Sequence, residues 1–162
     1  MKNNVTLRQL VAVLTGGFLG TMTRYLLSLA IQQVLGKGWP YDILLINITG
    51  ALLIALISTL AETTMLIGPT RRLFLVTGFL GAYTTFSSLA LGTLNLLNGG
   101  ATLPAFLYLL TSLLGGLLAI VLGVRLGQGG VYWLKKRPRM RSLGLYNTTH
   151  SDEQVLEEEH RV

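Results

Sequence analysis

The sequence predicts an all-α integral membrane protein built from four transmembrane helices. Of its 162 residues 51% are hydrophobic and 12% are charged, and the mean hydropathy is +0.57, which leaves too little polar surface for a soluble domain. Four apolar stretches are each long enough to cross a hydrocarbon layer that requires about 20 residues. The connections "GKGWPYD", "ETTMLIGPTRR" and "NGGAT" carry turn formers or charges, which supports this division.

The predicted membrane spans cover residues 10–34, 43–61, 73–97 and 103–134. A signal peptide is the alternative for the first stretch, but that stretch is too long, contains Arg24 and lacks a small-residue cleavage pattern. We therefore expect residues 1–134 to form one four-helix membrane unit. Residues 135–162 are expected to form a basic juxtamembrane segment and a polar, disordered tail.

The distribution of charge predicts the orientation in the membrane. An even number of spans places both termini and the 62–72 loop on one side, whereas the other side carries only Lys37. Near the span ends, the first side holds nine basic residues: Lys2, Arg8, Arg71, Arg72, Lys135, Lys136, Arg137, Arg139 and Arg141. The positive-inside rule therefore predicts cytoplasmic termini in a multi-pass plasma-membrane protein. The net charge of +6 is explained by this orientation, and no nucleic-acid partner is expected.

Chemistry based on cysteine or histidine is not expected inside the membrane. The chain has no cysteine, and both histidines lie in the polar tail. The acidic residues Asp42 and Glu62 lie at span ends, so the mid-membrane carboxylate of a proton-coupled exporter is missing. We therefore expect no enzyme activity, and we consider a small-molecule exporter the weaker transport alternative.

The first two spans carry polar residues that need partners in the membrane. Arg24 follows Gly17, Gly20 and Thr21 on one helical face, and a guanidinium in mid-span costs about 3 kcal/mol unless it faces a partner or water. Asn47 in the second span suits either a hydrogen bond between helices or the binding of an anion by its amide donors. The glycines alone, Gly16 and Gly20, are more typical of a helix-packing motif.

The third span contains its own interruption, in the stretch "GFLGAYTTFSSLALG" at 78–92. Non-helical backbone at membrane depth is tolerated only when it is buried in protein or lines a watery cavity. Freed carbonyls would suit a hard cation, whereas hydroxyls and N–H groups would suit an anion. The alternative is a packing kink whose hydroxyls bond back to the preceding turn.

The fourth span carries a polar stripe at helical spacing, made of Tyr108, Thr111, Ser112, Gly115 and Gly116. The stripe would serve helix packing or line a narrow track of hydroxyl donors. Taken together, these polar clusters offer hydrogen-bond donors and one cation, Arg24, which favours an anion as the transported species. A third possibility is a membrane assembly subunit whose polar stripes are only packing surfaces.

The segments "GGFLGTMTRY", "NITG" and "GFLGAYTTFSSL", in this order on successive spans, closely resemble the fluoride channels of the Fluc family, also called CrcB. The resemblance covers residues 7–130. It implies a passive fluoride channel that lowers cytoplasmic fluoride, assembled as an antiparallel dimer with the third helix broken mid-membrane. It also implies a structural sodium ion at the dimer interface, held by the backbone carbonyls of Gly81 and Thr84.

The same resemblance implies a set of residues along two narrow fluoride pores. Asn47 would line the pore, Phe86 would present its positively polarised ring edge to the anion, and Arg24 would attract fluoride electrostatically or support the structure. The implied pathway consists of Asn47, Phe86, Thr85, Ser87, Tyr108, Ser112 and Arg24.

Two features depart from the family pattern. Leu89 stands where a second phenylalanine is usual, so the pore that uses this position would be altered or closed. The nine-to-one charge bias is also unexpected for a subunit that inserts in both orientations. It suggests that this chain inserts in a single orientation and pairs with an oppositely oriented, homologous sister subunit. The alternative is an antiparallel dimer of the chain with itself.

Overall fold

The computed structural model describes residues 2–63 and 67–159, and it describes side-chain surroundings for 6–63 and 67–133. Two long helices come first, α1 (Lys2–Leu35) and α2 (Tyr41–Thr63). The last helix, α6, is Thr102–Glu159. The division of the chain at residue 134 and the nature of the tail stay predictions, because the side chains from 134 onward lie outside the described surroundings.

The third membrane segment is composite. It begins with α3 (Pro69–Arg72), continues as a π-helical stretch (Leu73–Leu80), and tightens into one α-turn, α4 (Gly81–Tyr83). After two extended residues it resumes as α5 (Phe86–Asn98). The predicted interruption is therefore confirmed, and a π-helical stretch, which is rare and often marks functional sites, precedes it.

Four helical segments are long and apolar enough to cross a membrane, which confirms the predicted number of spans in the described part of the chain. They are Thr6–Leu35, Tyr41–Thr63, Pro69–Asn98 and Thr102–Trp133. Many leucines on α1 and α6 point outward, for example Leu14 and Leu118, which are 62% and 69% exposed. Outward apolar side chains are expected where the surrounding medium is lipid.

The helices pack as two pairs. α2 packs along α6, and α1 packs along the π-helical stretch. A small cluster of buried side chains joins α2 to the third segment and consists of Ile46, Leu80 and Tyr83. Tyr83 also bonds through its hydroxyl to the Thr49 hydroxyl at 3.1 Å, which ties the end of α4 to α2 just beside the interruption.

Glycines bring the backbones of α1 and the third segment into direct contact. A Cβ added to Gly16 would lie 2.9 Å from the Phe79 nitrogen, and one added to Gly78 would lie 2.8 Å from the Val13 carbonyl oxygen. A Cβ on Gly20 would overlap the Phe79 carbonyl. Gly16 and Gly20 of α1 therefore form a packing surface, as small residues often do in membranes.

Replacing Gly20 with alanine is expected to destabilise the fold by about 1–3 kcal/mol, because a backbone carbonyl cannot yield as a side chain can. Gly17→Ala is the matched control on the same helix, since its Cβ would meet nothing closer than the Gly78 carbonyl oxygen at 4.0 Å. Thermal unfolding of both variants in detergent checks the prediction. Equal unfolding temperatures would contradict the close backbone approach.

Candidate functional site

The interruption of the third segment consists of two extended residues. Thr84 has φ −81° and ψ 154°, and Thr85 has φ −152° and ψ 118°, so both leave the helical region. The helices on both sides of the break are regular up to it. Thr84 still donates from its N–H to the Leu80 carbonyl at 3.0 Å, and the Thr85 side chain caps the start of α5. The break is therefore sharp and local.

Asn47 of α2 supplies the hydrogen bonds that the break requires. Its Oδ1 accepts from the Thr85 N–H at 2.8 Å, and its Nδ2 donates to the Thr85 carbonyl at 3.0 Å. The Asn47 amide thus supplies a hydrogen-bond partner for both the N–H and the carbonyl of Thr85, neither of which has a helical partner. Unsatisfied backbone groups in hydrocarbon are costly, so this pair stabilises the extended conformation.

Two carbonyls lose their helical donors to side chains at the break. In a continuous α-helix the N–H of Thr85 would bond to the carbonyl of Gly81, but here it bonds to Asn47. The N–H of Ser88 would likewise bond to the carbonyl of Thr84, but it donates to the Thr85 hydroxyl at 3.2 Å. These two carbonyls belong to Gly81 and Thr84, the pair that the sequence resemblance assigns to sodium.

A groove of about 470 Å³ runs beside the break between α2, α5 and α6. It brings together four of the predicted pathway residues, Asn47, Thr85, Phe86 and Ser112, and its wall also includes Thr84 and Leu89. Gly116 lies in the same wall, four residues beyond Ser112. Its lining is mostly apolar with a few polar groups, as is usual for selective sites.

Two buried hydroxyls of α6 have no hydrogen-bond partner among the described residues: those of Tyr108 and Ser112. Tyr108 is 0% exposed and Ser112 is 8% exposed, and the spacing of four places them on one helix face. Buried hydroxyls are almost always satisfied in native proteins, so an unpaired couple indicates a missing partner at this face.

Phe86 and Leu89 occupy different environments. Phe86 is 76% exposed, so its ring projects beyond the subunit, whereas Leu89 is 5% exposed and packed inside it. Both residues border the groove beside Asn47. The effect of Leu89 on a pore stays a prediction.

Arg24 and Ser87 lie apart from this groove. Arg24 is half-buried in a second groove of about 390 Å³, where Thr21, Ser28 and Ser88 supply the hydroxyls. The Ser87 hydroxyl lies 3.1 Å from that of Thr85 and is exposed. The structure therefore brings Asn47, Thr85, Phe86 and Ser112 together, and it places Arg24 in a separate groove that Ser88 of α5 also lines.

Sequence reasoning placed Asp42 at a span end and assigned it no role. In the structure its side chain is 5% exposed in the first turn of α2. It accepts hydrogen bonds from Ser28 and Gln32 of α1. The spacing of four between these two donors was the available signal, since it places both on one face of α1.

The chemistry of this region suits two kinds of ion. Amide and hydroxyl donors converge near the groove and can replace the hydration shell of a small anion. The freed carbonyls of the break are hard oxygen ligands, which suit a hard cation. Among the described residues no cluster of three or more histidine, cysteine or acidic side chains that could hold a metal occurs.

Comparison with known proteins gives a consistent result. A family model described as "CrcB-like protein, Camphor Resistance (CrcB)" matches residues 11–124. A "Fluoride-specific ion channel FluC" from Chloroflexus aurantiacus is 39% identical over 122 residues, covering 75% of this chain and 97% of that protein. The protein of the same name from Chlorobium chlorochromatii is 47% identical over 109 residues, covering 67% and 84%. That from Trichormus variabilis is 42% identical over 129 residues, covering 79% and 94%.

Proposed function

The chain belongs to the CrcB-like family, and from this premise we propose that it is a subunit of a fluoride-selective passive ion channel. Its relatives carry the name of fluoride-specific ion channels and not that of an enzyme. In our proposal the channel exports fluoride and lowers its cytoplasmic concentration.

The observation that carries this proposal is the pair of buried, unpartnered hydroxyls at Tyr108 and Ser112. They lie on one face of α6, and Ser112 shares a groove with the amide of Asn47. An anion passing along this face would supply the acceptor that both hydroxyls lack. A packing stripe in a mere assembly subunit would instead be expected to satisfy its hydroxyls within the fold.

Fluoride suits such a path because it is small and strongly hydrated. A selective pore has to replace its water with donors at close range, and hydroxyl and amide groups do so. We assign the pathway to Asn47, Phe86, Thr85, Ser87, Tyr108, Ser112 and Arg24. Phe86 would contact the anion with its ring edge. Arg24, in the adjacent groove, would contribute a positive potential.

Passive conduction suffices for export. Hydrogen fluoride enters cells as a neutral acid and dissociates inside, and the negative membrane potential then drives fluoride outward through an open anion path. A proton-coupled exporter is the second candidate, and it would require a mid-membrane carboxylate. The buried carboxylate among the described span residues, Asp42, lies in the first turn of α2 and not at its centre.

We further propose that two subunits pair antiparallel around a structural sodium ion. The carbonyls of Gly81 and Thr84 would hold it, because their helical donors are diverted to Asn47 and to the Thr85 hydroxyl. Gly81 is exposed on the subunit surface, which suits a ligand shared with a second copy. Bound sodium would add positive potential near the anion path.

For the sodium site, Thr84→Ala is expected to leave sodium binding intact, since the substitution keeps the carbonyl and removes only the hydroxyl bond to Leu80 at 3.1 Å. Thr85→Ala is expected to weaken sodium binding, because the Ser88 N–H loses its side-chain acceptor and becomes free to bond to the Thr84 carbonyl. Sodium-dependent thermal stabilisation measures both variants. Equal loss in the two variants would argue against backbone ligation.

The channel activity itself is tested in liposomes that contain this chain alone and in liposomes that also contain a candidate sister subunit. Fluoride efflux without chloride efflux in either preparation supports the channel, whereas the absence of flux from folded assemblies in both supports a structural role. We propose both termini in the cytoplasm and, from the charge bias, pairing with an oppositely oriented sister subunit. Efficient fluoride efflux by the single chain, with termini mapped on both faces of the membrane, would contradict this pairing.

A further inference from the structure

A buried carboxylate lies at the start of α2. Asp42 is 5% exposed, and its Oδ2 accepts a hydrogen bond from the Gln32 amide at 2.7 Å and another from the Ser28 hydroxyl. Two donors on one oxygen suit a carboxylate, which is an acceptor only. Within residues 6–63 and 67–133 no lysine or arginine approaches it within salt-bridge distance. The charge of Asp42 is therefore hydrogen-bonded but not neutralised by an ion pair.

The loop at residues 36–40, which precedes α2, covers Tyr108, one of the two α6 residues whose hydroxyls lack a partner. The Trp39 ring stands edge-on to the Tyr108 ring at 5.2 Å and 76°, and its Nε1 donates to the Pro104 carbonyl at 3.3 Å. A Cβ added to Gly92 of α5 would lie 3.3 Å from the Tyr108 ring and 3.4 Å from Pro40, so Pro40 also lies close to Tyr108. Tyr108 is thus enclosed by residues that immediately precede Asp42 in the chain.

Asp42 follows Trp39 by three residues, in the first turn of α2, so its carboxylate lies near the Tyr108 ring that Trp39 contacts. An anion that reaches the Tyr108 hydroxyl would therefore feel a fixed negative charge across a medium of low dielectric, where repulsion is much stronger than in water. The enclosure by Trp39 and Pro40 keeps solvent from screening that repulsion.

We propose that Asp42 is a rate-limiting electrostatic barrier at the Tyr108 end of the fluoride path. This inference rests on the proposed channel function and deepens it. Asp42 does not bind the anion; it raises the free energy of fluoride beside Tyr108 and so sets the rate at which ions pass this end. The donors that would distinguish fluoride from chloride are not altered by this charge.

The charge is tested by recording single-channel fluoride currents in planar bilayers. Asp42→Asn keeps an acceptor for Ser28 and Gln32 and removes the charge, so the current is expected to rise about threefold to tenfold. Asp42→Ser, whose hydroxyl also accepts, is expected to raise the current likewise and serves if the first variant does not assemble. Selectivity against chloride is expected to stay as in the unmodified channel.

Two controls separate the charge from the hydrogen bonds that tie α1 to α2. Asp42→Glu keeps the charge, and Ser28→Ala keeps the charge while removing one donor, so neither is expected to raise the current. An unchanged or lower current in folded Asp42→Asn and Asp42→Ser channels would overturn the proposal, as would an equal rise in Ser28→Ala. If the unmodified chain, alone or with a partner, passes no fluoride, the channel function itself fails, which is a distinguishable result.

Discussion

Ser112→Ala and Tyr108→Phe are each expected to reduce the fluoride current by about tenfold to a hundredfold without lowering the stability of the fold. Both substitutions remove a buried hydroxyl that bonds to nothing described in the subunit. No intramolecular hydrogen bond is lost, so the unfolding temperature should stay the same or rise. A dehydrated anion, in contrast, loses a donor worth about 1.5–3 kcal/mol for a bond to a charged group.

A neighbouring threonine provides the matched control for these variants. The Thr111 hydroxyl donates to the Leu107 carbonyl of its own helix at 2.6 Å and is exposed, so Thr111→Ala should leave the current nearly unchanged. Bilayer recordings and thermal unfolding of the three variants give both quantities. A loss of stability with the current retained would show that the two hydroxyls serve packing and not conduction.

Asn47→Leu is expected to abolish fluoride conduction and to destabilise the third segment. The leucine leaves both the N–H and the carbonyl of Thr85 without a partner, and each unpaired buried group costs about 1–3 kcal/mol. The pathway also loses the amide donor next to Ser112 in the groove. Fluoride efflux from liposomes and thermal unfolding in detergent measure the two losses separately.

Asn47→Asp separates the role of Asn47 in hydrogen bonding to the Thr85 backbone from its role in the fluoride pathway. An aspartate still accepts from the Thr85 N–H but offers no donor to the Thr85 carbonyl or to an anion. We expect an assembled subunit of intermediate stability with no fluoride efflux. Conduction near that of the unmodified chain in this variant would remove the Asn47 amide from the pathway.

Hydropathy was sufficient to predict the number of spans, because a hydrocarbon layer imposes a minimum length on every crossing. The interruption of the third segment was also predictable, since glycines and hydroxyl residues at 78–92 break an otherwise apolar run. Its exact position was not, because the extended residues Thr84 and Thr85 depend on Asn47, 38 positions earlier in the chain. Such a contact follows from tertiary packing and has no local signature.

The sequence predicted which residues lie at the site better than it predicted their hydrogen-bond partners and burial. Asn47, Thr85, Phe86 and Ser112 were expected near one path and do share a groove. That Tyr108 and Ser112 lack partners could not be read from the sequence, since any hydroxyl on a helix can bond back to the preceding turn, as Thr111 does. The burial of Asp42 likewise required knowing how α1 and α2 meet.

The break in the third segment depends on the side chain of Asn47 from α2, which has a consequence for the order in which the subunit folds in the membrane. Until α2 packs against the third segment, Asn47 is not available to the N–H and the carbonyl of Thr85. Leaving these two groups without hydrogen bonds in hydrocarbon is costly, so a helical conformation is favoured. We therefore expect the third segment to enter the bilayer as a continuous helix and to break only when it packs against α2. An isolated peptide of residues 69–98 in detergent micelles should accordingly be a continuous helix, and the break should form only after α2 and the third segment have packed together.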